Sequence, residues 1–219
     1  MIRIVIVEDL PMIQEGIKLL INAVGDFEIV AEYSNGKEFT DDVRNLDVDI
    51  VLMDIGMPVM DGIDATKLAV SLCPDIKIIA LSVYSDRKYY YSMVTAGARG
   101  FVLKQSTPEE LEGAIREVNN DGNFFSPDLL HSIIVNIHGL EEEITQDNQA
   151  KKELLNLTDH QVRLLEFICQ GLTNQELAKK MFVTLATIES NKRRLMQKTN
   201  TKNNAGLIIW AIKNKVVEI

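Results

Sequence analysis

Four short apolar runs in this 219-residue chain end in groups that can do chemistry. Ile2–Val7 runs into Glu8 and Asp9, Ile50–Met53 into Asp54, Ile76–Leu81 into Ser82, and Gly100–Leu103 into Lys104. If these runs are neighbouring parallel strands, three carboxylates, a hydroxyl and an ammonium share one crevice. Crowded carboxylates repel one another, and a divalent cation relieves the repulsion. Hard oxygen donors in a partly hydrated site suit Mg²⁺, which takes one or two carboxylates together with phosphate oxygens. A carboxylate can also act as a nucleophile and become an aspartyl phosphate. Phosphoryl transfer needs the charge on the equatorial oxygens neutralised, which Mg²⁺, Lys104 and Ser82 would do.

A second set of candidates lies near the C-terminus. Ile188 and Leu195, seven residues apart, mark the buried stripe of a helix starting near Thr184. Its other face offers Thr187, Glu189, Ser190, Lys192, Arg193 and Arg194. A helix in the major groove reads base edges with such groups, while Lys and Arg bind phosphates. Charge supports the placement. The chain has a net charge of -9, but residues 1–150 hold 11 Lys and Arg against 26 Asp and Glu, a balance of -15. Residues 151–219 hold 12 against 6, a balance of +6. An acidic module is joined to a basic one, a pattern that points to nucleic-acid contact by the basic part.

The elements that position these groups are legible. Ile2–Val7, Glu28–Tyr33, Ile50–Met53, Ile76–Leu81 and Gly100–Leu103 have strand length and β-branched content, and helical spacing separates them. Ile13, Ile17, Leu20 and Ile21 predict one buried helix face; Leu111, Ala114, Ile115 and Val118 predict another. Alternating strands and helices give a five-stranded parallel sheet covered on both faces, a doubly wound α/β domain over residues 1–125 with its function at the carboxyl ends of the strands. Residues 126–155 read as a linker with one amphipathic helix: Ser126-Pro127 opens it, Leu129, Leu130, Ile133, Ile134 and Ile137 stripe it, and the polar stretch Glu141–Lys152 follows. Residues 156–219 predict a small all-α domain of four helices. Thr158 and Thr173 each open a capping box, Gly171 ends the first helix, and the last starts near Asn203.

Composition narrows the function. The chain is 46% hydrophobic and 25% charged, as a globular protein is. Its longest apolar run, Ala205–Ile212, is far short of the ~18 residues a membrane helix needs, and no signal peptide opens the chain. Cys73 and Cys169 read as reduced core thiols of a cytoplasmic protein. His131, His138 and His160 lack ligand spacing, so a histidine metal site is not expected.

Residues 1–125 resemble the receiver domain of two-component response regulators through Val7-Glu8-Asp9, the run from Asp54 to Gly62, Leu81-Ser82, and Gly97 to Lys104. The resemblance implies that Asp54 accepts a phosphoryl group and that Mg²⁺ is held by Asp9, Asp54 and the backbone carbonyl of Gly56, with Glu8 acting through metal-bound water. It implies that Ser82 and Lys104 contact the phosphoryl oxygens and that Ser82 and Phe101 form the switch. Phe101 stands where many receivers have Tyr, and Gln105 where Pro is common.

Residues 157–212 resemble the four-helix, helix-turn-helix domain of regulators related to NarL, FixJ and LuxR. The resemblance rests on Leu157-Thr158, Leu164-Leu165, the run Gly171–Ala178, Thr187-Ile188, and Leu195 with Lys198. It implies double-stranded DNA as partner, with Lys198 joining the contact residues above. Glu189 replaces a common Lys, and either reads a cytosine amino group or repels phosphate. Asn191 and Asn204 replace a common His and Arg.

Together these readings imply a transcription regulator, not an enzyme acting on other substrates. A sensor histidine kinase phosphorylates it, and it dimerises on activation. A regulator that binds DNA without phosphorylation is the alternative. An aspartyl-phosphate hydrolase is disfavoured because such enzymes place a second Asp where Gly56 stands. A flavin or nucleotide binder is disfavoured because Glu8-Asp9 would repel phosphate after the first strand.

Overall fold

The computed structural model describes residues 1–83, 87–125, 157–214 and 216–217. The helix expected from Ser126-Pro127 and the linker Glu141–Lys152 lie outside them. The chain divides into two compact units, Met1–Ser126 and Pro127–Ile219.

The first unit alternates strands and helices: β1 (Ile2–Val7), α1 (Pro11–Asn22), β2 (Phe27–Tyr33), α2 (Gly36–Asp42), β3 (Ile50–Asp54), α3 (Gly62–Leu72), β4 (Ile78–Ser82), α4 (Arg87–Ala96), β5 (Gly100–Leu103) and α5 (Pro108–Asn119). The strands form one parallel sheet in the order β2-β1-β3-β4-β5. Helices cover a parallel sheet on both faces, so its central strands are apolar without alternation. Accordingly all five residues of β3 and of β4 are buried. Ile4, Ile6, Leu52, Ile79 and Leu81 meet Leu111, Ala114, Ile115 and Val118 of α5 in one core, each large side chain contributing roughly 1.5–3 kcal/mol by burial.

Sequence and structure differ at two places here. β4 begins at Ile78 rather than Ile76, because the Ile76 amide is taken up in a turn by the Cys73 carbonyl. Leu20 is 38% exposed. Ile17 and Ile21 are buried against the sheet, Ile13 packs partly buried against the same core, and Leu20 lies at the margin of their stripe.

After α5 the chain returns to the sheet. The Phe101 amide donates to the Phe124 carbonyl (2.9 Å) and the Phe124 amide to the Arg99 carbonyl (3.0 Å). An edge strand leaves a row of backbone groups unpaired, and at β5 Phe124 covers part of that row.

The second unit contains α6 (Asp159–Cys169), α7 (Asn174–Met181), α8 (Leu185–Thr199) and α9 (Asn204–Lys213). Capping boxes at Thr158 and Thr173 and side-chain caps at Thr184 and Asn203 start all four helices where the sequence places them. Gly171, at φ +78, follows the end of α6. Phe182 (φ 56) and Asn200 (φ 53) take the left-handed cap positions of α7 and α8. Leu164, Leu165, Ile168, Leu177, Ile188, Leu195 and Leu207 form the core. Both cysteines are free and half-buried, and burial pushes the Cys169 thiol up to about 11.

Candidate functional site

Parallel pairing of β1, β3, β4 and β5 brings their carboxyl ends together, and β1 and β3 flank the point where the strand order reverses. Ligands of open α/β sheets bind at such a point. Glu8, Asp54 and Ser82 are buried there and Asp9 is half-buried. Glu8, Asp9 and Asp54 each offer a carboxylate oxygen, and these atoms all lie within 4.8 Å of one another. The Lys104 ammonium, its side chain 9% exposed, lies 2.7 Å from Glu8 Oε2 and 2.8 Å from Asp54 Oδ1. The Lys104 amide donates to the Ser82 carbonyl at 2.7 Å, which ties the ends of β4 and β5 together.

The electrostatics follow from this packing. Burial raises the Glu8 pKa, with the negative Asp54 adding to it, and Lys104 only partly offsets the rise. Burial alone would lower the Lys104 pKa, but hydrogen bonds to Asp54 and Glu8 outweigh it and hold it up. Three carboxylates face one ammonium, a formal excess of two negative charges. A hard, all-oxygen set with that excess fits a divalent cation such as Mg²⁺. Gly56, expected to offer its carbonyl, is exposed in the loop after β3.

The loop is held against the end of β3 by Gly62, the first residue of α3. Its amide donates to the Ile55 carbonyl at 2.9 Å, and a Cβ at Gly62 would stand 2.0 Å from the Asp54 carbonyl oxygen. Asp61 caps α3 by accepting from the Asp64 amide.

Phe101 is 3% exposed, its ring 4.9 Å from that of Tyr90 in an edge arrangement. Tyr90 itself is fully buried and also meets Phe125 edge-on at 5.8 Å. The Tyr90 hydroxyl has no hydrogen-bond partner among the described residues, and burial raises its pKa. Tyr90 is not among the residues singled out by motif, although Tyr90, Met93 and Val94 at i, i+3 and i+4 mark the buried side of α4 among three consecutive tyrosines. A buried, unsatisfied hydroxyl costs on the order of 1–3 kcal/mol. Tyr90→Phe is therefore expected to raise stability by about 1 kcal/mol, read as a higher midpoint in urea unfolding; a lower midpoint would show that the hydroxyl is satisfied in solution.

In the second unit, α7 and α8 form the helix-turn-helix. Glu189, Ser190, Arg193, Arg194 and Lys198 are exposed along α8, as expected. Lys198 also donates to Gln161 at 3.1 Å. Thr187 is half-buried, and its amide and hydroxyl both meet Thr184 Oγ1 at the helix start. Lys192 corrects the expectation. It is 7% exposed and donates to Asn174 Oδ1 at 2.8 Å. It falls on the Ile188, Leu195 and Thr199 side of α8, four residues after Ile188 and three before Leu195, so it braces α7 against α8 rather than facing outward.

A parallel 2-1-3-4-5 sheet with this acidic crevice, followed by a helix-turn-helix bundle, defines a receiver coupled to a DNA-binding module, and comparisons agree. The profile described as "Response regulator receiver domain" matches residues 4–116, and that described as "Bacterial regulatory proteins, luxR family" matches residues 155–211. The "Oxygen regulatory protein NreC" of Staphylococcus carnosus is 31% identical over 99% of both chains. The "Transcriptional regulatory protein DegU" of Brevibacillus brevis is 27% identical over all of this chain and 96% of its own. A LuxR-family response regulator from an Aurantimonas species, 31% identical, superposes with a TM-score of 0.56 over 59% of this chain and 92% of its own. The RcsB response regulator of Salmonella typhimurium, at 23% identity, shares the fold with a TM-score of 0.54 over 94% of this chain and 96% of its own. The chain belongs to the response regulators with a LuxR-type DNA-binding domain, transcription regulators activated by phosphorylation.

Proposed function

We propose that Asp54 is the phosphoryl acceptor, that Ser82 and Lys104 receive the phosphoryl oxygens, and that the donor is a sensor histidine kinase. The carrying observation is the Lys104 ammonium held between Glu8 and Asp54 beside Asp9. Residues 1–125 form the receiver, 126–155 the linker and 156–219 the DNA-binding domain. Glu8, Asp9, Asp54 and the Gly56 carbonyl would hold Mg²⁺, Glu8 through a metal-bound water. When bound, the ion supplies positive charge against the phosphoryl oxygens. The chain acts on no substrate beyond its own aspartyl phosphate, and it works in the cytoplasm, where its DNA target is.

The geometry supports a switch. Before phosphorylation the Lys104 ammonium is shared by two carboxylates. A phosphoryl group adds roughly 1.5–2 negative charges and three acceptor oxygens, which compete for that ammonium and for the Ser82 hydroxyl. The ends of β4 and β5 move together because the Ser82 carbonyl binds the Lys104 amide, and Phe101 and Tyr90 repack with them. Such a local change biases one of two packings of a surface, and that surface then favours a homodimer. Two paired modules bind two DNA half-sites more tightly through effective concentration. On α8, Ser190 and Arg193 face base edges, while Arg194 and Lys198 contact phosphates.

Light scattering and DNA titration of the full chain, with Mg²⁺ and with or without beryllofluoride as phosphoryl mimic, test this. The mimic is expected to convert monomer to dimer and to tighten DNA binding. Equal dimerisation and equal affinity in both conditions would reject the switch and leave a phosphorylation-independent regulator.

A further inference from the structure

The exposed side of α8 has an order that suggests which bases it reads. Its buried stripe runs through Ile188, Lys192, Leu195 and Thr199. Leu185, Glu189 and Arg193 form a separate row at i, i+4 and i+8, and all three are exposed. Residues four apart are neighbours on one helix face, so an apolar, an anionic and a cationic side chain follow one another along one line.

Two observations mark this row as unfinished within the chain. Glu189 and Arg193 have the spacing and polarity of a favourable intrahelical ion pair, yet neither makes an ion pair among the described residues. Leu185 is 44% exposed and Phe182, beside it in the turn, is 94% exposed with φ 56. These are the exposed large hydrophobics among the described residues of the second unit. A non-glycine residue in left-handed backbone is uncommon, and apolar exposure concentrated at one turn marks a contact surface. The turn leads directly into the N-terminus of α8, and in helix-turn-helix proteins that end of the recognition helix contacts base edges.

In the major groove each of the three chemistries has a preferred partner. An apolar side chain meets the thymine methyl, a carboxylate accepts from the cytosine amino group, and Arg binds guanine O6 and N7. At a rise of about 1.5 Å per residue, the row from Leu185 to Arg193 spans about 12 Å of helix, against about 3.4 Å per base pair. It therefore covers about three to four base pairs.

We propose that Leu185, Glu189 and Arg193 are specificity-determining residues. They read a thymine methyl, a cytosine amino group and a guanine edge in that order along each half-site. This rests on the DNA-binding reading above and makes Glu189 a base reader instead of a phosphate repeller.

The test uses the full chain with Mg²⁺ and beryllofluoride, selecting sites from random duplex DNA and then titrating the selected duplex with single changes. Three results are expected. Deoxyuridine in place of one thymine weakens wild-type binding roughly threefold and leaves Leu185→Ala binding unchanged. Glu189→Gln loses its preference for cytosine at one position only. Arg193→Ala weakens binding roughly tenfold and relaxes the guanine preference at one position. Glu189→Gln tightening binding to all sequences equally would overturn the assignment, as would deoxyuridine acting equally on wild type and Leu185→Ala. Failure of the wild type to enrich any sequence over random DNA would overturn the underlying reading of specific DNA recognition and this assignment with it.

Discussion

Asp54→Asn is expected to abolish phosphoryl incorporation by the full chain in the presence of Mg²⁺ and a small phosphodonor. Intact-mass measurement on both proteins reads the result directly. Asparagine keeps the size of the side chain, so the buried strand end should still pack, but its amide is a poor nucleophile and carries no charge. The effect should therefore be all or none. Removing Asp54 also relieves repulsion, since Glu8 and Asp54 share one ammonium, so the variant should be no less stable than wild type. Equal phosphate incorporation in both proteins would move the acceptor away from Asp54.

Gly62→Ala is expected to be the most disruptive single-methyl addition in the receiver. The new Cβ would lie 2.0 Å from the Asp54 carbonyl oxygen and 2.9 Å from its carbonyl carbon. Both are backbone atoms of a buried strand end, so no side chain can swing aside. Either α3 lifts from the sheet or the end of β3 is pushed out, and losses above about 4 kcal/mol come from strain and overpacking of this kind. Urea unfolding should show the loss, and phosphorylation of whatever remains folded should fall as Asp54 is displaced. Gly56→Ala is the matched control, because nothing lies within 4 Å of a Cβ there. Similar stability of Gly62→Ala and Gly56→Ala would show that the α3 junction is slack.

The sheet and the acidic crevice were legible because both depend on local patterns. Apolar runs of strand length and helical stripes fix the topology class, and a parallel sheet then brings its strand ends together without further information. The first two helix starts of the second unit were legible for the same reason, since a Thr followed three residues later by Glu or Gln is a local signal. What escaped was decided by packing between elements. Lys192 looks like part of a basic run, but it falls on the buried side of α8 and donates to Asn174 on the neighbouring helix. Gly62 reads as a turn glycine until the Asp54 carbonyl is seen against it. Phe182 and Asn200 end their helices in left-handed backbone without the glycine that usually announces such an end.

The backbone link between β5 and Phe124 gives the receiver a defined exit. The two amide hydrogen bonds that flank Phe124 bracket the strand segment holding Phe101, so the last described stretch of the receiver is mortised to β5. A tether anchored to a rigid rim would be indifferent to events in the crevice. Under the proposed switch the anchorage is a moving part, and any slide or twist of β5 carries Phe124 with it.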